Sequence, residues 1–264
     1  MKLGFIGCGN MATAMIKGII EREILPPSEI CGFDAYPASL EKAQMMYGIQ
    51  TAHSNRELAA LCDIIVLAVK PHLYADIGAE LKSHLKPHQI IVTIAPGKTL
   101  EWLGQQIGEQ TKIVRTMPNT PSMVGEGMTG ICPNSFVTLD EVDEIVRILR
   151  GFGRVEVVPE YLMDVVVAVS SSSPAYVFMF IEAMADAASA DGMPRAQAYQ
   201  FAAQAVLGSA RMILETHKHP GELKDMVCSP GGTNLEAVRV LEDHRLRSSV
   251  FEAMKACVAH AKKM

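Results

Sequence analysis

The chain is short of the features that mark several protein classes. Of its 264 residues only one is tryptophan, and aromatic residues make up 6%. It has no Lys/Arg block, and its net charge is −5. Nothing in that balance points to a nucleic acid or to an anionic membrane surface. The six cysteines (Cys8, Cys31, Cys62, Cys132, Cys228 and Cys257) are scattered without a C-x-x-C pair. There is no H-E-x-x-H and no Cys/His spacing that would hold a metal. No signal peptide is read at the start, so reduced thiols and a cytoplasmic location are expected. The longer apolar runs are interrupted by Ser, Pro, Glu or Asp, and none is expected to span a membrane.

What is present is a globular composition: 49% apolar and 20% charged residues. Short Val/Ile/Leu runs at 2–7, 29–34, 64–69, 90–94, 112–117 and 154–158 read as strands. Helical patterns lie near 10–22, 38–47, 55–61, 73–84, 99–107 and 138–150. Continuous apolar strands alternating with helices predict a parallel sheet covered on both faces, an α/β doubly wound domain of the Rossmann type. From residue 159 the pattern turns helical, with helices at 174–191, 194–216, 235–242 and 246–263. Two domains are therefore expected, 1–158 and 159–264, the second all-α. In the helix at 174–191, Val177, Phe178, Met179, Phe180 and Ile181 cover the whole circumference. About a hundred residues of helix are too few to bury such an element, so a second copy of the chain is expected to cover it.

The opening, Gly7-x-Gly9-x-x-Ala12, follows a strand and begins a helix. In that context Gly7 permits a tight turn, Gly9 lets backbone approach a pyrophosphate, and Ala12 lets the helix pack closely. Helix-start N–H groups then receive phosphates. The second strand ends at Asp34, an acid that would hold ribose hydroxyls and favour NAD. Arg56 could face a 2′-phosphate, but Ser54-Asn55-Arg56-Glu57 also reads as a capping box. The residues alone leave NAD and NADP open.

Three further loops leave the carboxyl ends of strands, where ligands of such folds lie. They are Ala68-Val69-Lys70-Pro71, Ala95-Pro96-Gly97-Lys98-Thr99 and Met117-Pro118-Asn119-Thr120-Pro121. Ser172 or Ser173, ahead of Pro174, is expected to cap the long helix. Ser229-Pro230-Gly231-Gly232-Thr233-Asn234 offers backbone N–H groups to an anion the size of a carboxylate, though Thr233-x-x-Glu236 also reads as a capping box. No lysine occurs between Lys112 and Lys218. That counts against the β-hydroxyacid dehydrogenases, which carry a catalytic lysine on the long helix of the second domain.

Taken together and in order, the Gly7 loop, Ala68–Pro71, Met117–Pro121, Ser173-Pro174-Ala175-Tyr176-Val177-Phe178 and His219–Gly232 resemble the pyrroline-5-carboxylate reductases along the whole chain. The resemblance implies reduction of Δ1-pyrroline-5-carboxylate to L-proline. It carries cofactor contacts onto Ile6, Gly7, Cys8, Gly9, Asn10, Met11, Ala12, Asp34, Asn55, Ala68, Val69, Lys70, Pro71, Ala95 and Gly97. Substrate contacts fall on Met117, Asn119, Ser229, Gly231, Gly232, Thr233 and Asn234, with Thr233 or Asn234 steadying the ring nitrogen. It further implies NADPH as the habitual cofactor with NAD possible, and a homodimer or larger assembly joined through the helical domain. The chain departs from the family pattern at Ser171 (usually Gly), Asn234 (usually Thr), Pro96 (usually Ala) and Asp34.

Overall fold

The structure is a computed structural model that describes residues 1–263. It divides into two compact units, one made of Met1–Ser172 with the terminal residues from Cys257 onward, the other of Ser173–Ala256.

The first unit is built on an eight-stranded sheet of order β3-β2-β1-β4-β5-β6-β7-β8. The strands are β1 (Leu3–Ile6), β2 (Ile30–Phe33), β3 (Gln50–Thr51), β4 (Ile64–Leu67), β5 (Ile90–Thr93), β6 (Lys112–Met117), β7 (Gly127–Pro133) and β8 (Gly153–Val157). All pairings are parallel except β6 with β7. Every residue of β1, β4 and β5 is buried, as their largely apolar sequences require of strands covered on both faces. The covering helices are α1 (Asn10–Glu21), α2 (Pro37–Tyr47), α3 (Asn55–Leu61), α4 (Tyr74–Leu81), α5 (Leu100–Ile107) and α6 (Leu139–Leu149). On α1 the inward residues Ala12, Met15, Ile16 and Ile19 recur at helical spacing. On α6 a reciprocal capping box joins Thr138 and Glu141.

The strand β7 was not expected from the sequence. Its two glycines and terminal proline hide the β pattern, yet both glycines are required by close packing. A side chain at Gly127 would lie 2.7 Å from the Phe152 carbonyl oxygen, and one at Gly130 would lie 2.9 Å from Val166.

The boundary at 158/159 also differs from the compact units. Residues 159–172 stay with the sheet because a buried cation holds them there. Arg115 on β6 is 3% exposed, and its Nη1 donates to Glu160 at 3.1 Å. Its Nη2 lies 3.8 Å from Asp164. Glu160 also accepts from the Leu100 N–H at 2.6 Å, capping α5. The short helix α7 (Met163–Val166) then seats Met163 in a cluster with Met117, Cys132 and Ala261.

The chain next makes a π-helical turn at Val167–Ser171, with the Ser172 N–H donating to the Val167 carbonyl. Ser172 keeps helical angles (φ −92°, ψ −30°) and so continues the helical path into α8 where a cap would break it. Pro174 has no N–H to return to the carbonyl four residues back, and a widened turn accommodates that gap.

The second unit contains α8 (Ser173–Ala190), α9 (Arg195–Thr216), α10 (Pro220–Val227), α11 (Thr233–Asp243) and most of α12 (Leu246–Ala261). The eight-residue α10 was not anticipated. On α8 only Ala185 is buried, while Phe178 and Met179 are 62% and 68% exposed. The helical stretch Glu160–Ala190 is, contrary to expectation, long and apolar enough to cross a membrane by length and composition, with an 18-residue window of mean hydropathy 1.5.

Replacing Arg115 with Met leaves Glu160 and Asp164 without their cation. Breaking such a pair removes about 2–4 kcal/mol of stability, less than for a fully buried pair because both acids are partly solvated. Urea denaturation of the variant checks this, and an unchanged midpoint contradicts it.

Candidate functional site

The carboxyl ends of β1, β2, β4 and β5 open onto a cavity of about 580 Å³. Its lining includes Gly7, Gly9, Asn10, Met11, Asp34, Ala68, Val69, Lys70, Pro71 and Ala95. Parallel pairing puts the strand ends level: Ile6 lies opposite both Phe33 and Leu67, and Leu67 opposite Thr93. Four loops far apart in sequence therefore emerge side by side.

Gly7 has φ +95°, and a side chain there would lie 2.8 Å from the Ala68 carbonyl oxygen. Its glycine identity follows from the protein's own packing. Gly9 is different. Its φ is −75°, which any residue adopts, and an added Cβ would meet nothing within 4 Å. The space in front of Gly9 is open toward the cavity, at the start of a helix with no side-chain cap. That is the fit expected of a pyrophosphate approaching bare backbone N–H groups. Ile6 and Ala12 are buried behind the loop and shape it from within.

Cys8 is buried beneath the loop. Burial, with the nearby Asp34 charge adding to it, pushes its thiol up to about 12. It stays a thiol and has no nucleophilic character. Its backbone N–H donates to Asp34 Oδ2 at 2.7 Å, and the Tyr36 N–H donates to Asp34 Oδ1 at 2.8 Å.

A contributor that the sequence did not single out is Tyr74. Its fully buried hydroxyl donates to the Leu67 carbonyl at 2.5 Å and accepts from the Ile94 N–H at 3.3 Å. Burial raises its pKa, keeping the phenol neutral. Tyr74 thus pins the ends of β4 and β5 from which the Ala68–Pro71 and Ala95–Gly97 loops start. Only a hydrophobic-looking helix start signals it in sequence. Thr120, from the Met117–Pro121 loop, and Met123 also line the cavity.

Other expected residues are placed elsewhere. Gly97 lies in a neighbouring polar recess with Thr99, Arg115 and Glu160. Asn55 donates to Glu80 at 2.8 Å, and its buried Oδ1 has no partner. Ser54 caps α3 through the Glu57 N–H, so the capping reading of that loop holds for this half; Glu57 turns instead to the His53 N–H. Met117 and Asn119, expected at the substrate, present no free side chain. Met117 is buried in the cluster around Met163. The Asn119 amide donates to the Ser170 carbonyl at 3.1 Å and accepts from the Met128 N–H at 2.9 Å. Asn119 therefore clasps the carbonyl that Pro174 cannot use, and it works as a buried clamp.

In the second unit, Gly231 has φ +69° and needs to be glycine. The N-cap of α11 is Gly232, not Thr233, and no side chain caps it. The Thr233–Glu236 capping box does not form, because Glu236 pairs with Arg239 at 3.1 Å. The Asn234 amide closes the turn by donating to the Val227 carbonyl at 2.6 Å. Among the described residues the Thr233 hydroxyl makes no hydrogen bond. The first-turn N–H groups thus have no side-chain competitor for an anion.

The sheet, the glycine turn and the open strand-end cavity define a dinucleotide-binding oxidoreductase of two-domain type. Residues 160–264 match the family described as pyrroline-5-carboxylate reductase dimerisation, and residues 2–97 match NADP oxidoreductase coenzyme F420-dependent. Pyrroline-5-carboxylate reductase of Escherichia coli (strain K12) is 50% identical over 263 residues, covering 100% of this chain and 98% of that one. The Methanosarcina acetivorans enzyme of the same name is 39% identical, with coverage of 96% and 94%. The solved Coxiella burnetii reductase superposes with a TM-score of 0.93 at 37% identity, covering 99% and 97%. The Plasmodium falciparum enzyme, solved with NADP bound, gives 0.89 at 30% identity, covering 100% and 97%. The chain belongs to the pyrroline-5-carboxylate reductase family.

Changing Gly9 to Ala separates ligand from fold. Stability should stay within about 1 kcal/mol, since the methyl meets no protein atom and sits at a cap position. Dinucleotide affinity should fall at least about tenfold, or 1.4 kcal/mol. Calorimetric titration with NADPH beside a thermal melt reads both; unchanged affinity would remove the pyrophosphate from this loop.

Proposed function

We propose that this chain reduces Δ1-pyrroline-5-carboxylate to L-proline with NADPH or NADH, the last step of proline formation. The observation that carries the reading is the end-to-end likeness to a named reductase at 50% identity, with the glycine cradle and the Ser229–Asn234 turn both intact. The dinucleotide supplies a hydride to the imine carbon. The imine nitrogen ends with the proton that makes the ring a secondary amine. An imine is basic enough to arrive protonated, so the protein's own work is to bind, align and exclude water.

In this reading the residues around the cavity hold the dinucleotide, and Gly231, Gly232, Thr233 and Asn234 hold the substrate carboxylate with Ser229 beside them. Thr233, whose hydroxyl is uncommitted, is the side chain offered to the ring nitrogen, while Asn234 keeps the turn closed. Thr233→Ala should lower kcat/KM for the imine about 10- to 100-fold with an unchanged melt, as expected for a hydrogen bond to a charged group. An unchanged kcat/KM would take Thr233 out of the site.

The exposed apolar residues of α8 support a homodimer through the helical region, which matches the dimerisation family from residue 160. The same cover accounts for the apolar Glu160–Ala190 stretch without a membrane. The free cysteines and the acidic balance favour a cytoplasmic enzyme that does not bind nucleic acid. Sedimentation at micromolar concentration should give a dimer or larger assembly, and Phe178→Glu should lower both assembly and activity. A fully active monomer would contradict the dimer.

A further inference from the structure

We propose that Asp34 sets the cofactor choice and tilts this site toward the dinucleotide that lacks a 2′-phosphate. The inference rests on the dinucleotide reading of the Gly7–Ala12 loop. Asp34 follows directly on β2 and lines the cavity. It is also fixed: one carboxylate oxygen accepts the Cys8 N–H at 2.7 Å, the other the Tyr36 N–H at 2.8 Å. Turning the side chain away would strip two loop N–H groups of their partner, which opposes rotation. Each oxygen keeps a second lone pair, so the carboxylate can still accept from two neighbouring hydroxyls. An acid at this point of a βαβ unit is placed for the ribose hydroxyls. A phosphate ester there would set two anions against each other.

Nothing nearby offsets that repulsion. Lys70 is the one cation lining the cavity among the described residues. It follows β4, two strands across from β2, and the axes of those strands lie about 10 Å apart at the usual strand spacing. Arg56 on α3 faces Glu80, with Nε 3.7 Å from the carboxylate, and Asn55 donates to the same acid. The residues that follow Asp34 are Ala35, Tyr36 and Pro37; none can neutralise a phosphate.

The test begins with binding, free of catalysis. ADP-ribose and its 2′-phosphate are titrated calorimetrically into the unmodified protein. ADP-ribose should bind at least about tenfold more tightly. In Asp34→Ser the ratio should shift at least about tenfold toward the phosphorylated ligand. Asp34→Asn, which keeps the volume and one acceptor for the loop, should shift the same way and guards against a collapsed loop. The ratio of kcat/KM for NADH over NADPH should follow the binding ratio. Tighter binding of the 2′-phosphate by the unmodified protein overturns the proposal, as does a ratio that stays put in both variants. If Arg56→Ala selectively weakens the 2′-phosphate, Arg56 leaves Glu80 to serve it and the proposal is again overturned. Binding of neither ligand would instead defeat the dinucleotide reading itself.

Discussion

The close approach of Gly7 to the Ala68 carbonyl governs much of this molecule. A Cβ at Gly7 would sit 2.8 Å from that oxygen, so the turn after β1 can press against the end of β4 only with glycine there. The Ala68 N–H donates to the Ile6 carbonyl and the Gly7 N–H to the Phe33 carbonyl. One turn is thereby bonded to the strands on both of its sides. Tyr74 extends the arrangement to β5 through a single hydroxyl, and Asp34 fastens the loop to the end of β2. The outcome is a row of backbone N–H groups and short loops held level, with Gly9 facing open space. Preorganisation of this kind lets a flexible dinucleotide be held in one geometry without loop ordering on binding.

The core of the first unit was legible because buried parallel strands have to be apolar on both faces and leave unbroken Val/Ile/Leu runs. The glycine loop was legible for a related reason: its spacing expresses a steric need. What escaped was structure made by tertiary contact. β7 gives no strand pattern because its glycines serve neighbours such as Val166 and Phe152 and not local conformation. Tyr74 looks like one more helical residue until its hydroxyl is seen between two strands. Met117 and Asn119 stand in a proline-fixed loop that reads like a site, yet their side chains fill the core and clasp Ser170. The Thr233–Glu236 box failed because Gly232 took the cap position and Arg239 took the glutamate. Local patterns state which hydrogen bonds are possible, and competition among partners decides which form.

The second unit shows the converse. Its sequence predicted burial that a single chain does not provide, and Phe178 and Met179 are correspondingly exposed. The excess of apolar surface is information about assembly, since a helix apolar all round is stable only when covered all round. Fold, cradle and family lead to one chemistry: hydride delivered to the carbon of a cyclic imine.

The most direct measurement of that claim follows the hydride itself. The protein is supplied with pyrroline-5-carboxylate and a dinucleotide carrying deuterium at the transferable C4 position, and the product is read by mass spectrometry and NMR. The account predicts L-proline one mass unit heavier, with the deuterium on the ring carbon that was the imine carbon. Proline without the label, or no proline while the dinucleotide still binds, would contradict it.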